Sequence, residues 1–173
     1  MNQNNSFNLK RLAFIAIVAI VAIAATYGFD KITGNKESSN DSKTKEVVKD
    51  SDIVIPVKDI TDTATFYPAS INGIDLEVIA VKSPDGTIRT AFNTCQVCYN
   101  SGKGYYEQEG DHLICQNCGN RFGMADVEVA KGGCNPVPIT SEYKEVDAES
   151  ITISKEFLTE ASVIFDNWKN GIQ

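Results

Sequence analysis

Histidine is almost missing from this chain: His112 is the single one among 173 residues. No Ser/His/Asp arrangement, phosphate-cradling glycine loop or paired-carboxylate signature is visible, so the sequence predicts no enzyme activity of its own. Basic residues are outnumbered as well, 16 Lys and Arg against 23 Asp and Glu, for a net charge of −7. Binding a nucleic-acid backbone needs clustered Lys and Arg, so a nucleic-acid partner is not expected. A cationic partner or a metal cation is compatible with that charge. There is no internal repeat, and the length suits one domain of ordinary size plus an extension.

The extension lies at the N-terminus. After a short tail, residues 1–11, ending in Lys10 and Arg11, residues 12–29 run "LAFIAIVAIVAIAATYGF", 18 residues without a charge. Crossing a hydrocarbon core of about 30 Å takes about 20 apolar residues, so this run is just long enough for one transmembrane helix. Tyr27 and Phe29 suit the interface. The alternative is a cleaved signal peptide, because "AIAA" at residues 22–25 offers small residues at an A-x-A-like site; the run is longer than a usual signal core, which favours an uncleaved anchor. No cysteine follows the run closely, which excludes a lipoprotein anchor. Lysines lie on both sides, so charge counting alone does not set orientation. The short N-terminal tail resembles a signal-anchor, placing the C-terminal domain outside the cytoplasm in a single-pass cell-membrane protein.

Residues 30–51 are polar, charged and nearly free of large side chains. They read as a flexible tether that cannot offset its ordering entropy by burial. Folded sequence, residues 52–173, begins near "DIVIPV". Ile74, Leu76, Val78 and Ala80 alternate with other residues, as do Ile88, Thr90 and Phe92. Between the two runs Pro84-Asp85-Gly86 predicts a hairpin turn. The second strand runs directly into Cys95, and a short strand "DHLIC" leads into Cys115. Towards the C-terminus Phe157, Leu158, Ala161, Ile164, Phe165 and Trp168 fall at helical spacing, with Ser154 a plausible N-cap, predicting a core-facing helix.

Four of the five cysteines form two matched pairs, Cys95-x2-Cys98 and Cys115-x2-Cys118, separated by 16 residues. That spacing is a strong metal-site signature. Each turn points two sulfurs at one place, and two turns brought together complete a four-thiolate cage. Gly119 after the second pair suits a position needing positive φ. Tyr99, Tyr105, Tyr106 and Phe122 are placed to exclude water from the sulfurs. Two disulfides are the competing use in an extracytoplasmic protein, but they need no matched turns. A thioredoxin-like pair is disfavoured because neither pair opens a helix after a strand. By ligand type, tetrahedral Zn2+, a single iron or an iron–sulfur cluster all fit, and spacing alone would make structural zinc the default.

The fifth cysteine lies in "GGCNPVPI". Cys134 reads as a ligand, a thiol beside the centre or a buried small hydrophobe. A plain zinc ribbon has no use for such a loop. His112 sits three residues before Cys115, away from either turn, and reads as an exposed strand residue.

The order "DGTIRTAFNTC…LICQNCGNRF…GGCNPVPI" resembles a Rieske domain in its succession of strand, ligand loop, strand, ligand loop and Gly/Pro-rich loop. A Rieske site pairs cysteine with histidine in both loops, whereas here every ligand position is a thiol, which excludes a Rieske centre proper. By that resemblance residues 133–138 would cover the cluster. A closer resemblance, running from "SDIVIPV" through the cysteine region to the final helix, is to the FtrD-like family of membrane iron–sulfur-containing proteins. It implies an iron–sulfur cluster on Cys95, Cys98, Cys115 and Cys118, with Cys134 as ligand or neighbour. Some members accompany ferrous-iron permeases, which implies electron transfer during iron uptake and a redox or permease partner in the membrane. Many members carry several spans, whereas this sequence shows one.

Together these readings predict a mainly β domain of α+β type, Rieske-like or zinc-ribbon-like, with a C-terminal helix and one preceding transmembrane helix. The predicted function is electron transfer by a membrane-anchored, extracytoplasmic iron–sulfur protein held in the bilayer through residues 12–29. The alternatives are a zinc-stabilised module that docks a membrane partner or delivers metal, and thiol–disulfide exchange through one Cys-x-x-Cys pair.

Overall fold

The computed structural model describes residues 45–170. The apolar run at 12–29 and most of the polar tether lie outside these residues. No helix among the described residues is long and apolar enough to cross a membrane.

The described chain is mainly β with one short C-terminal helix. Its largest sheet holds β1 (Val48–Lys49), β3 (Thr65–Ile71), β4 (Ile74–Lys82), β5 (Ile88–Cys95) and β9 (Pro136–Pro138), in the order β1-β3-β4-β5-β9. β1 runs parallel to β3, and the remaining neighbours are antiparallel. Pairing thus begins at Val48, inside the stretch that reads as tether. Two hairpins build the sheet's centre. Asn72 and Gly73, with φ of 51° and 81°, close β3 onto β4 in a two-residue turn whose backbone twist matches the strands. At Pro84-Asp85-Gly86 the next turn is tied by Gly86 N–H to Ser83 O at 2.8 Å and by the Asp85 carboxylate accepting Thr87 N–H at 2.9 Å.

A second sheet joins β10 (Glu145–Val146), β11 (Ser150–Ile153) and β2 (Ile53–Pro56), all antiparallel. A third, β6 (Tyr106–Glu109), β7 (His112–Cys115) and β8 (Arg121–Gly123), is a compact meander.

β4 is covered on both faces. Leu76, Val78 and Ala80 enter one core with Phe92, Ile53, Ile55, Ile151 and Ile153. Ile79 and Val81 enter a second core with Cys95, Tyr106, Leu113, Cys115 and Phe122. Each large side chain removed from water here contributes about 2 kcal/mol. Helix α1 (Lys155–Ala161) closes the first core. The Ser154 hydroxyl accepts Phe157 N–H at 3.2 Å as its N-cap, and Leu158 is fully buried. The chain continues through a 3-10 turn to Phe165, whose ring meets Phe92 edge-on at 5.6 Å. Trp168 then donates its indole N–H to Asn93 O at 2.7 Å, two residues before Cys95.

A largely buried ion pair lies against β5. Lys144 Nζ lies 2.6 Å from Glu128 Oε2 and 2.9 Å from Thr90 Oγ1, and Glu128 Oε2 also accepts Thr90 N–H at 2.9 Å. Glu128 takes a φ of 68° to reach this position, so the pair anchors the segment between β8 and β9 onto β5.

Candidate metal centre

Three loops meet at the end of β5. The first leaves the strand at Cys95, whose N–H donates to Gly104 O at 2.7 Å, while Cys98 N–H donates to Cys95 Sγ at 3.3 Å. A single 3-10 turn, Tyr99–Ser101, follows, and the Cys98 carbonyl accepts both Ser101 N–H and the Ser101 hydroxyl. Gly104 passes directly behind this turn. A Cβ at that position would fall 2.5 Å from the Cys98 carbonyl oxygen.

The second loop repeats the plan from the end of β7. Cys115 N–H donates to Asn120 O, and Gly119, at φ 71°, returns its N–H to Cys115 O at 2.8 Å. Gln116 N–H reaches Tyr105 O at 2.9 Å, tying the second turn to the strand that follows the first.

The third loop brings Cys134 in from the other side. Pro136 stands opposite Cys95 in the β5–β9 register. Gln96 N–H donates to Asn135 O, the Gln96 side chain accepts Gly132 N–H, and Asn120 Nδ2 donates to Cys134 O at 2.9 Å. Both Cys-x-x-Cys turns are therefore bonded to the Cys134 loop.

The result is a five-sulfur cluster. The sulfurs of Cys95, Cys98, Cys115 and Cys134 all lie within 4.8 Å of one another. Cys118 falls outside that compact four, with its sulfur 2.8 Å from that of Cys134, and Cys134 is in turn 3.3 Å from Cys95. Exposure is graded: Cys95 and Cys115 are buried, Cys98 and Cys134 half-buried, Cys118 exposed. Tyr106 and Phe122 are buried in the core beneath the sulfurs, as the sequence anticipated, whereas Tyr99 and Tyr105 are only half-buried. The Tyr106 hydroxyl lies 3.9 Å from Cys134 Sγ. His112 instead faces Asp111, with Nδ1 2.5 Å from Oδ1, and takes no part in the cluster.

Sulfurs this close do not ionise alike. Burial pushes the Cys95 thiol up, but hydrogen bonds from Tyr106 and from the Val97 and Cys98 N–H groups outweigh it, and its pKa lies below the ordinary thiol value. Cys118 is brought down to about 7 by the neighbouring Cys134 thiol and the Asn120 N–H. Burial lifts Cys115 to about 11, and burial also raises Cys98 and Cys134, the latter further through Cys118 and Cys95. Two thiolates are thus favoured while three neighbours resist ionisation by desolvation and like charge. A cation placed among them would release the remaining protons, so metal binding and full ionisation go together. This donor set, all sulfur and largely shielded, fits an iron–sulfur group in its chemistry.

Residues 57–165 match the family described as "Membrane iron-sulfur containing protein FtrD-like". The chain belongs to that family. No curated protein and no solved structure matches the chain. A membrane iron–sulfur family and four cysteines positioned around one point together define a metal-binding protein.

Proposed function

We propose that this chain is a membrane-tethered, extracytoplasmic carrier of single electrons, with an iron–sulfur centre held by four of the five clustered thiols. The observation that carries the reading is the convergence of Cys95, Cys98, Cys115 and Cys134 within 4.8 Å. Cys118 is at hand beside them and is the other candidate for the fourth position. When bound, the centre would supply one-electron redox chemistry at low potential, since four thiolates donate more charge to iron than two thiolates and two imidazoles do.

The remaining work belongs to the chain's own groups. Phe122, Leu113 and Tyr106 exclude water from below, and the Tyr106 hydroxyl offers a hydrogen bond to sulfur. Cys118 and Cys98 lie on the open side, which is where a partner would exchange electrons. The net charge of −7 favours a positively charged partner and makes the exchange sensitive to salt. A role beside an iron-uptake permease follows from the family resemblance and belongs to the same proposal.

A second reading rests on spacing. A tetrahedral ion with metal–sulfur bonds of about 2.3 Å holds its sulfurs ~3.8 Å apart, close to what the four-thiol set offers. A single zinc in a structural or metal-delivery module is that alternative. The full chain, purified anaerobically in detergent, separates the two. Iron with acid-labile sulfide, a brown colour and an EPR signal on reduction support the electron carrier. A colourless protein holding one zinc would end it.

A further inference from the structure

A four-coordinate centre leaves one of five cysteines over, and the structure puts the surplus in a particular place. Cys118 is the exposed thiol of the cluster, and Cys134 is half-buried directly behind it. Their sulfurs are 2.8 Å apart, so an approach of less than about 1 Å reaches the ~2.05 Å of a disulfide. The two loops are already fastened to each other by Asn120 Nδ2 on Cys134 O. Small shifts are easily taken up, because Gly119 follows Cys118 and Gly132 and Gly133, both at φ 78°, precede Cys134. The within-turn pairs are less well placed. Cys95 and Cys115 are buried, and the Cys95 sulfur is engaged by the Cys98 N–H.

We propose that Cys118 and Cys134 form a dithiol–disulfide couple oxidised by hydroperoxides, with Cys118 the attacking and Cys134 the resolving sulfur. The Cys118 thiolate attacks one peroxide oxygen and the O–O bond breaks, giving a Cys118 sulfenic acid; the other oxygen takes up the proton that Cys118 released on ionising and leaves as water or an alcohol. The Cys134 sulfur then attacks the Cys118 sulfur, and the S–O bond breaks. The hydroxyl departs as water with the Cys134 proton. Two thiols lose two electrons to one hydroperoxide, and a single S–S bond joins the two loops. This chemistry needs no metal. Its consequence for the centre does rest on the proposed function: the disulfide withdraws Cys134 from the four-thiol set, so bound metal and disulfide exclude each other.

The test uses the full chain, stripped of metal by a chelator under nitrogen and treated with one equivalent of hydrogen peroxide. After alkylation and tryptic digestion, the peptide ending at Arg121 carries Cys115 and Cys118, and Cys134 lies on the peptide between Lys131 and Lys144. The expected product joins these two peptides, with fragmentation placing the bond on Cys118 and leaving Cys115 alkylated. Cys118→Ser should abolish it. A product linking Cys95 to Cys98 or Cys115 to Cys118, or no disulfide, overturns the proposal. Repeating the treatment on metal-loaded protein keeps the two readings apart. Release of metal together with the Cys118–Cys134 bond supports both. A protein that never binds metal yet forms this bond leaves the couple standing and removes only the electron carrier.

Discussion

Leu76, Val78 and Ala80 of β4 look into one core, and Ile79 and Val81 of the same strand look into the other. The first is an ordinary apolar interior. It is framed by strands of seven, nine and eight residues and closed by α1, and isoleucine and phenylalanine supply its bulk. The second is framed by strands of four, four and three residues and contains Cys95, Cys115 and Tyr106 where the first has aliphatic groups. Three strands that short bury their apolar face only by packing against Ile79 and Val81 of β4. The contrast teaches that one half is built from apolar bulk alone, while the other sets its thiols among its apolar groups and, on the proposed function, would lean on the metal they hold.

The widest gap between the halves should open on losing a ligand. Cys115→Ser removes a buried thiolate and should weaken metal binding at least about tenfold, because the spare thiol, Cys118, is exposed and lies outside the compact four. Since metal binding is coupled to folding, amide exchange should rise sharply across β6, β7 and β8 while β3, β4 and β5 stay protected. Equal loss of protection in both halves would refute the division. Phe92→Ala attacks the other side. It should cost about 4 kcal/mol in denaturant unfolding, as for other large-to-small changes in a core, with metal content retained in the fraction that folds.

Glu128→Gln tests the joint between the halves. It leaves the Lys144 ammonium buried without its partner, for a loss of about 3 kcal/mol. Glu128 belongs to the segment leading to Cys134 and ties it to Thr90 of β5, so metal should also dissociate faster from this variant than from Phe92→Ala. Tyr106→Phe is the mildest change. Metal and fold should survive, and the reduction potential should move to a more negative value, because a hydrogen bond to sulfur favours the reduced centre. An unchanged potential would show that the hydroxyl does not reach a ligating sulfur.

Much of the apolar half was legible in the sequence. The alternation of Leu76, Val78 and Ala80, the turn at Pro84-Asp85-Gly86 and the Ser154 cap all appear where periodicity and turn chemistry put them. The Asn72-Gly73 turn carried an equally strong local signal that alternation alone passed over. The alternation of Ile74, Leu76, Val78 and Ala80 did not register Ile79 and Val81, since a strand covered on both sides loses its period-two pattern. The pairing of β2 with β11 could not be read locally, as Ile53 and Ile153 meet from 100 positions apart in the chain.

In the sulfur half, spacing named the two turns and a Gly/Pro-rich loop singled out Cys134. The three-way bonding among those loops was not legible. It rests on Gln96, Asn120 and Asn135, polar residues whose types carry no signal until the fold brings them together.

Gly104 runs close behind the first turn, where a methyl group would press 2.5 Å from the Cys98 carbonyl oxygen. That oxygen holds Ser101 in its tight turn, so it has nowhere to retreat. The prohibition is one of volume and is indifferent to which ion the thiols grip. Descendants of this sequence could exchange iron for zinc and still be unable to exchange that hydrogen for a side chain.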